Sequence, residues 1–170
     1  MDIKPDQRNT DFQKMKYAQI GDYIIGKEIG SGSFGRVFIG YHCKSSQKYA
    51  IKKIKKIKLI ELGVEEKYIY TEAKIMQSIQ HPNILHSFDF IETKENYYFV
   101  VEYCNEGNLS DYIGFHKESI LCESEAVSFL KQILNGYKIL RRRNIRRSGR
   151  SSTWRYYANC KNIQEGWRKC

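Results

Sequence analysis

From Tyr23 onward, short apolar runs alternate with polar turns. Tyr23–Ile29 and Val37–Tyr41 are β-type runs on either side of a glycine-rich turn, and they predict a hairpin with a long tip. Tyr49–Ile54 predicts a third strand. Residues 65–79 place Ile69, Ala73, Met76 and Ile79 at helical spacing, which predicts a helix. His81-Pro82-Asn83 ends it, because the residue before a proline is pushed out of the helical region. Ile84–Ile91 and Tyr97–Tyr103 predict two more strands joined by a turn at 92–96, and 108–115 predicts a short helix. The clearest periodicity lies in 123–140. There Ala126, Phe129, Leu130, Ile133, Leu134, Tyr137 and Leu140 recur at spacings of three and four, with Glu123 and Glu125 placed to suit the helix dipole. Residues 1–20 are polar with isolated apolar positions and predict a loose leader with a short helix at 12–18. No periodicity survives beyond Leu140, and no internal repeat is present.

Charge divides the chain where periodicity stops. The 170 residues carry 29 Lys+Arg and 19 Asp+Glu, a formal net charge of +10. Residues 1–140 hold 19 basic and 18 acidic side chains, and residues 141–170 hold 10 basic and 1 acidic. The base also changes, from 17 Lys and 2 Arg before position 141 to 8 Arg and 2 Lys after it. Both tryptophans, Trp154 and Trp167, lie in this last stretch, and no Asp follows Asp111. Hydrophobic residues at 41% suffice for a packed core. No apolar run reaches the ~18 residues of a membrane span, and the N-terminus is too polar for a secretory signal. Five scattered cysteines form no C-x-x-C pair, so neither a zinc site nor a disulfide scaffold is indicated. Reduced thiols point to a cytoplasmic location, with the nucleus left open.

Residues 30–37 read Gly-Ser-Gly-Ser-Phe-Gly-Arg-Val. A dinucleotide-binding loop of this pattern leads into a helix, whereas Arg36–Gly40 is β-type. A strand, a glycine loop and a second strand fit a cover over nucleotide phosphates, where a Cβ would obstruct the approach of backbone N–H groups. Alone, the loop has a competing reading as a flexible hairpin tip that binds nothing. Three further elements fall in register: Tyr49-Ala50-Ile51-Lys52; Glu72 on the expected helix, nine residues before His81; and Phe99–Cys104 followed by Glu106-Gly107-Asn108-Leu109.

Together these elements resemble the N-terminal lobe of eukaryotic protein kinases over residues 20–140, closest in appearance to autophagy-initiating Ser/Thr kinases of the unc-51 type. The resemblance implies an α+β fold: a five-stranded antiparallel sheet with one helix over about 21–104, then a hinge and the first helices of a truncated C-lobe over about 105–140. Residues 141–170 would be a basic, disordered tail outside the family pattern. It also implies roles. Gly30, Gly32 and Gly35 would shape the loop over the phosphates of ATP, and Ile29, Val37 and Ala50 would sandwich the adenine. Lys52 and Glu72 would form the ion pair that orients the phosphates. Val101 would guard the back of the pocket, and backbone groups of Glu102 and Cys104 would hydrogen-bond the base. Lys53 is the competing candidate for Lys52, since adjacent strand residues face opposite ways and only one can point inward. For Glu72 the competing reading is an exposed helix charge. The lysines at 52, 53, 55, 56 and 58 read mostly as a solvated edge.

The family pattern then stops. Phosphoryl transfer needs an Asp that orients the attacking hydroxyl, and an Asn and a second Asp that hold Mg²⁺, in H-R-D-x-x-x-x-N and D-F-G. None of the four histidines (42, 81, 86, 116) is followed by Arg. Asp89-Phe90-Ile91 precedes the hinge and lacks the glycine, so it reads as strand. Mg²⁺ is expected for the family, yet its protein ligands are missing from these residues. The sequence therefore predicts an ATP-binding portion of a Ser/Thr protein kinase without phosphotransfer of its own, its tail the product of a shifted frame, a mis-splice or a decayed gene. The alternatives are a non-catalytic pseudokinase-like module docking on a protein partner and, more weakly, nucleic-acid binding by the arginine- and tryptophan-bearing tail. Apolar side chains on 123–140 are expected to be left exposed.

Overall fold

The computed structural model describes residues 18–105, 109–114 and 120–143. The expected leader helix, most of the hinge segment 106–108 and the arginine-rich stretch after 143 lie outside the described residues.

Six strands form one antiparallel sheet: β1 (Gln19–Ile20), β2 (Tyr23–Gly32), β3 (Gly35–His42), β4 (Lys48–Lys55), β5 (Ser87–Glu92) and β6 (Asn96–Glu102), in the order β1-β2-β3-β4-β6-β5. Alternation along β4 separates two cores. Ala50 and Ile54 face a cluster completed by Ile69, Ala73 and Met76 of α2 (Glu66–Ser78), by Ile79, Ile84 and Leu85, and by Phe99 and Val101. Tyr49 and Ile51 face the other way, into a smaller cluster with Ile20, Tyr23, Tyr98 and Val100. The α+β class is as the sequence implies.

The details differ in three places. The sheet has a sixth strand, because Gln19 and Ile20 pair with Ile24 and Tyr23 across a tight turn at Gly21 (φ +52°). Ile20 thereby caps the smaller cluster, so a residue read as leader belongs to the core. A short helix, α1 (Lys56–Glu61), precedes α2 and buries Leu59. The lysine run is thus not simply an edge: Lys56 pairs with Glu92 of β5, whose other carboxylate oxygen accepts a 2.7 Å bond from the Tyr70 hydroxyl on α2. Finally, β5 begins at Ser87; Ile84 and Leu85 fill the core from a loop instead of a strand.

Two helices follow: α3 (Leu109–Gly114) and α4 (Glu123–Arg142). Tyr112 packs edge-on against Phe129, and its hydroxyl donates a 2.7 Å bond to the buried Glu125, which also accepts from the Cys122 N–H at the helix start. The second half of α4 docks on the segment after α2. Gly136 lies against the Asn83 carbonyl, Leu140 enters the main core, and the Arg143 guanidinium donates to the Ser78 carbonyl at 2.8 Å.

Candidate functional site

The register of four strands aligns the site. Gly30 pairs with Val37, Val37 with Lys52 and Lys52 with Phe99, so these residues form one row across β2, β3, β4 and β6. Two residues along β4 a second row runs from Ile39 through Ala50 and Val101 to Ser87. Directly paired residues share a face, so both rows line the side of the sheet that carries α2.

Lys52 is 6% exposed. Its ammonium lies 4.0 Å from the Glu72 carboxylate on α2 and 5.7 Å from the Phe99 ring centroid. Burial holds the Lys52 pKa below its ordinary value, and the Glu72 charge opposes that shift without cancelling it. Glu72 is half-buried on the inner side of α2, where it reaches the sheet. Lys53 lies on the opposite face, its ammonium 5.9 Å from the Tyr98 ring. Sequence reasoning passed over Phe99; its place as cross-strand partner of Lys52 depends on the β4–β6 register.

The glycine loop joins β2 to β3. A Cβ on Gly35 would lie 2.1 Å from the Lys53 carbonyl oxygen, whereas one on Gly30 or Gly32 would meet nothing within 4 Å. Phe34 at the tip turns back against the main core, which anchors the loop over the sheet. It was an isolated aromatic in a polar stretch, the one signal that could have identified it. Ala50 and Val101 are buried, Val37 is half-buried and packs on the core, and Ile29 is 44% exposed beside a bulge in β2. The Glu102 N–H donates to the His86 carbonyl at 3.0 Å. The exposed Cys104 thiol sits 3.9 Å from the Glu102 carbonyl.

The arrangement puts Val37, Ala50 and Val101 on one face of the sheet with one buried cation, beneath a loop whose first two glycines have open space where a Cβ would be. That combination suits a purine carrying phosphates. Among the described residues no group of three or more His, Cys, Asp or Glu could hold a metal ion, and no helix is long and apolar enough to cross a membrane.

The family described as "Protein kinase domain" matches residues 23–147. The chain is similar to the hormonally up-regulated neu tumor-associated kinase of Homo sapiens, 37% identical over 142 residues, covering 83% of this chain and 19% of that protein. It is similar to the serine/threonine-protein kinase ATG1b of Arabidopsis thaliana, 40% identical over 126 residues, covering 74% of this chain and 17% of that protein. It is likewise similar to the probable serine/threonine-protein kinase MARK-A of Dictyostelium discoideum, 40% identical over 117 residues, covering 68% of this chain and 11% of that protein. The chain thus spans less than a fifth of the length of these relatives.

Proposed function

Because the chain belongs to the protein kinase family, we propose that it binds ATP on the sheet face between the glycine loop and β6 and that these 170 residues alone transfer no phosphoryl group. The observation that carries the first half is the buried Lys52 facing Glu72 beneath the loop. A buried ammonium with a carboxylate at 4.0 Å is costly for the fold, and a triphosphate would bring it further negative charge. Ala50 and Val37 would contact the adenine, with Ile29 at the exposed rim and Val101 behind. The Glu102 carbonyl and the Cys104 backbone would meet its polar edge. Gly30 and Gly32 would leave their N–H groups open to the phosphates, and Gly35 closes the turn. When bound, ATP supplies the phosphoryl group for family chemistry; this chain's residues bind and orient it.

Mg²⁺ fits less well. The family holds it with an Asn after the catalytic Asp and with the Asp of D-F-G, and no Asp follows Asp111 here. No step through the metal follows from these residues, and a protein substrate would have nothing to orient its hydroxyl. The reduced-thiol composition supports a cytoplasmic setting.

Titration with a fluorescent ATP analogue, with and without Mg²⁺, tests the reading. Wild type is expected to bind and Lys52→Met to lose at least about tenfold in affinity. Phosphotransfer to a generic Ser/Thr substrate should stay at background. Equal affinity in both proteins would refute the cradle, and robust phosphotransfer would refute the second half.

A further inference from the structure

Helix α2 meets the sheet through an apolar stripe of Ile69, Ala73 and Met76, which joins Tyr97, Phe99 and Val101 of β6 in the main core. Tyr70 follows Ile69 and Glu72 precedes Ala73. At about 100° per residue, the two lie on opposite flanks of that stripe. Each flank reaches a different strand. Glu72 faces Lys52 of β4 at 4.0 Å, and the Tyr70 hydroxyl donates a 2.7 Å bond to Glu92 of β5. In the sheet β6 lies between those two strands, so the helix is held on both sides of its apolar seat.

The Tyr70 flank is the tighter one. Glu92 accepts from Tyr70 with one carboxylate oxygen and from the Lys56 ammonium with the other. Lys56 opens α1, and its backbone N–H donates to the Glu95 carbonyl in the β5–β6 turn. Its ammonium also lies 4.7 Å from the centre of the Tyr97 ring. The Tyr70 ring meets Phe90 and Tyr97 edge-on, and those two stack on each other. The bond to Glu92 raises the Tyr70 pKa, and the bonds from Lys56 and Tyr70 lower that of Glu92. Donor and acceptor therefore keep the protonation states this clasp needs throughout the neutral range. On the other flank, 4.0 Å is beyond hydrogen-bonding reach. The apolar contact between the flanks is non-directional, so it opposes lifting of the helix more than rolling.

We propose that the Lys56–Glu92–Tyr70 clasp sets the roll of α2, which makes Tyr70 and Glu92 positioning residues for the Lys52–Glu72 pair. Their part in nucleotide binding rests on the reading of that pair as the anchor for the phosphates; their coupling to Lys52 does not. Tyr70 and Glu72 ride on one helix, two residues apart. A roll that parts Tyr70 from Glu92 therefore also shifts Glu72 against Lys52. The carboxylate then draws away from the buried ammonium, because the ion pair is the looser of the two attachments.

Lysine side-chain NMR on the ligand-free full chain tests the coupling, with the Lys52 signal assigned by its absence in Lys52→Met. Tyr70→Phe removes the hydroxyl and keeps the ring; Glu92→Gln removes the charge and keeps the shape. Both positions are exposed, so circular dichroism should not change, and were one variant to unfold the other carries the test. Each is expected to move the Lys52 titration to lower pH, since the Glu72 charge is what raises it. In a Glu72→Gln background neither should move it further. Affinity for a fluorescent ATP analogue should fall by about threefold or more in each variant, and that effect too should vanish in the Glu72→Gln background. A Lys52 titration that stays in place or moves upward in a folded variant overturns the proposal. So does a shift that survives undiminished beside Glu72→Gln, which would mark a general loosening of the fold. A titration that moves while affinity holds constant overturns the positioning role. Should wild type bind no nucleotide, the ATP reading fails, while the Lys52 titration still decides the clasp.

Discussion

A methyl group on Gly35 would collide with the Lys53 carbonyl, whereas one on Gly30 or Gly32 would stand in open space. Three glycines that look alike in the sequence therefore have different causes. Gly35 is demanded by the protein's own backbone; Gly30 and Gly32 have no such demand, and the proposed nucleotide would supply one. Gly35→Ala is expected to lower the thermal midpoint with or without nucleotide, since a backbone oxygen cannot be displaced like the end of a side chain; the cost is about 1–3 kcal/mol. Gly30→Ala should leave the midpoint of the ligand-free protein nearly unchanged and weaken nucleotide binding. Paired melting and binding measurements on the two variants check this. Equal effects on both properties would remove the distinction. Lys52 and Lys53 are a second such pair. Alternation dictates that they face opposite sides, but which of them lies under the loop depends on where α2 packs.

At the scale of elements, α4 is the most legible in sequence and the least complete in what sequence says of it. Its length, its acidic start and its apolar spacing are all plain along 123–140. The reading that its apolar residues would be left exposed agrees with Leu130 and Tyr137, each more than half exposed. The sequence could not show that Gly136 is a contact. A glycine inside a helix reads as a weakness, yet here it lets the Asn83 carbonyl come within 3.0 Å of where a Cβ would sit. Nor could it show that Glu125 is buried, since Tyr112 reaches that carboxylate only after α3 has packed against α4. Gly136→Leu should force the helix away from Asn83 and separate Leu140 from the core, at a cost of about 1–3 kcal/mol. Hydrogen exchange would register the change as lost protection in the second half of α4, with the β4–β6 ladder retained. Unchanged protection there would mean that α4 does not depend on this contact.

For the molecule as a whole, stability and the proposed nucleotide binding pull against each other at Lys52. Burial lowers its pKa, so between the lowered value and the ordinary 10.5 the unfolded chain binds more protons than the folded one. Stability contributed by this group therefore rises with pH through that window, and below it the fold carries a constant penalty. Lys52→Met together with Glu72→Gln removes the penalty without leaving the carboxylate buried beside no cation. The variant is expected to be more stable than wild type at neutral pH and to lose that advantage as pH climbs toward 10.5. The measurement is the difference between the two proteins' denaturant midpoints across pH, in which shared contributions such as the buried tyrosines cancel. A variant less stable than wild type at neutral pH would show that the ion pair stabilises the ligand-free fold.

What the sequence determined by itself is local or periodic. It set most of the strands and the two longer helices, because burial of one face imposes a repeat of 2 or 3.6 residues. It placed four elements of the kinase family in order, because loop chemistry and strand alternation are written in neighbouring residues. It also set the absence of any Asp after Asp111. The tertiary structure alone decided what depends on residues far apart in the chain. It recruited Gln19 and Ile20 as a sixth strand, tied Lys56 and Tyr70 to Glu92, set Phe99 beside Lys52 and seated Gly136 on Asn83. These pairings follow from register and docking, where many weak contacts must be satisfied together and no single residue announces its partner.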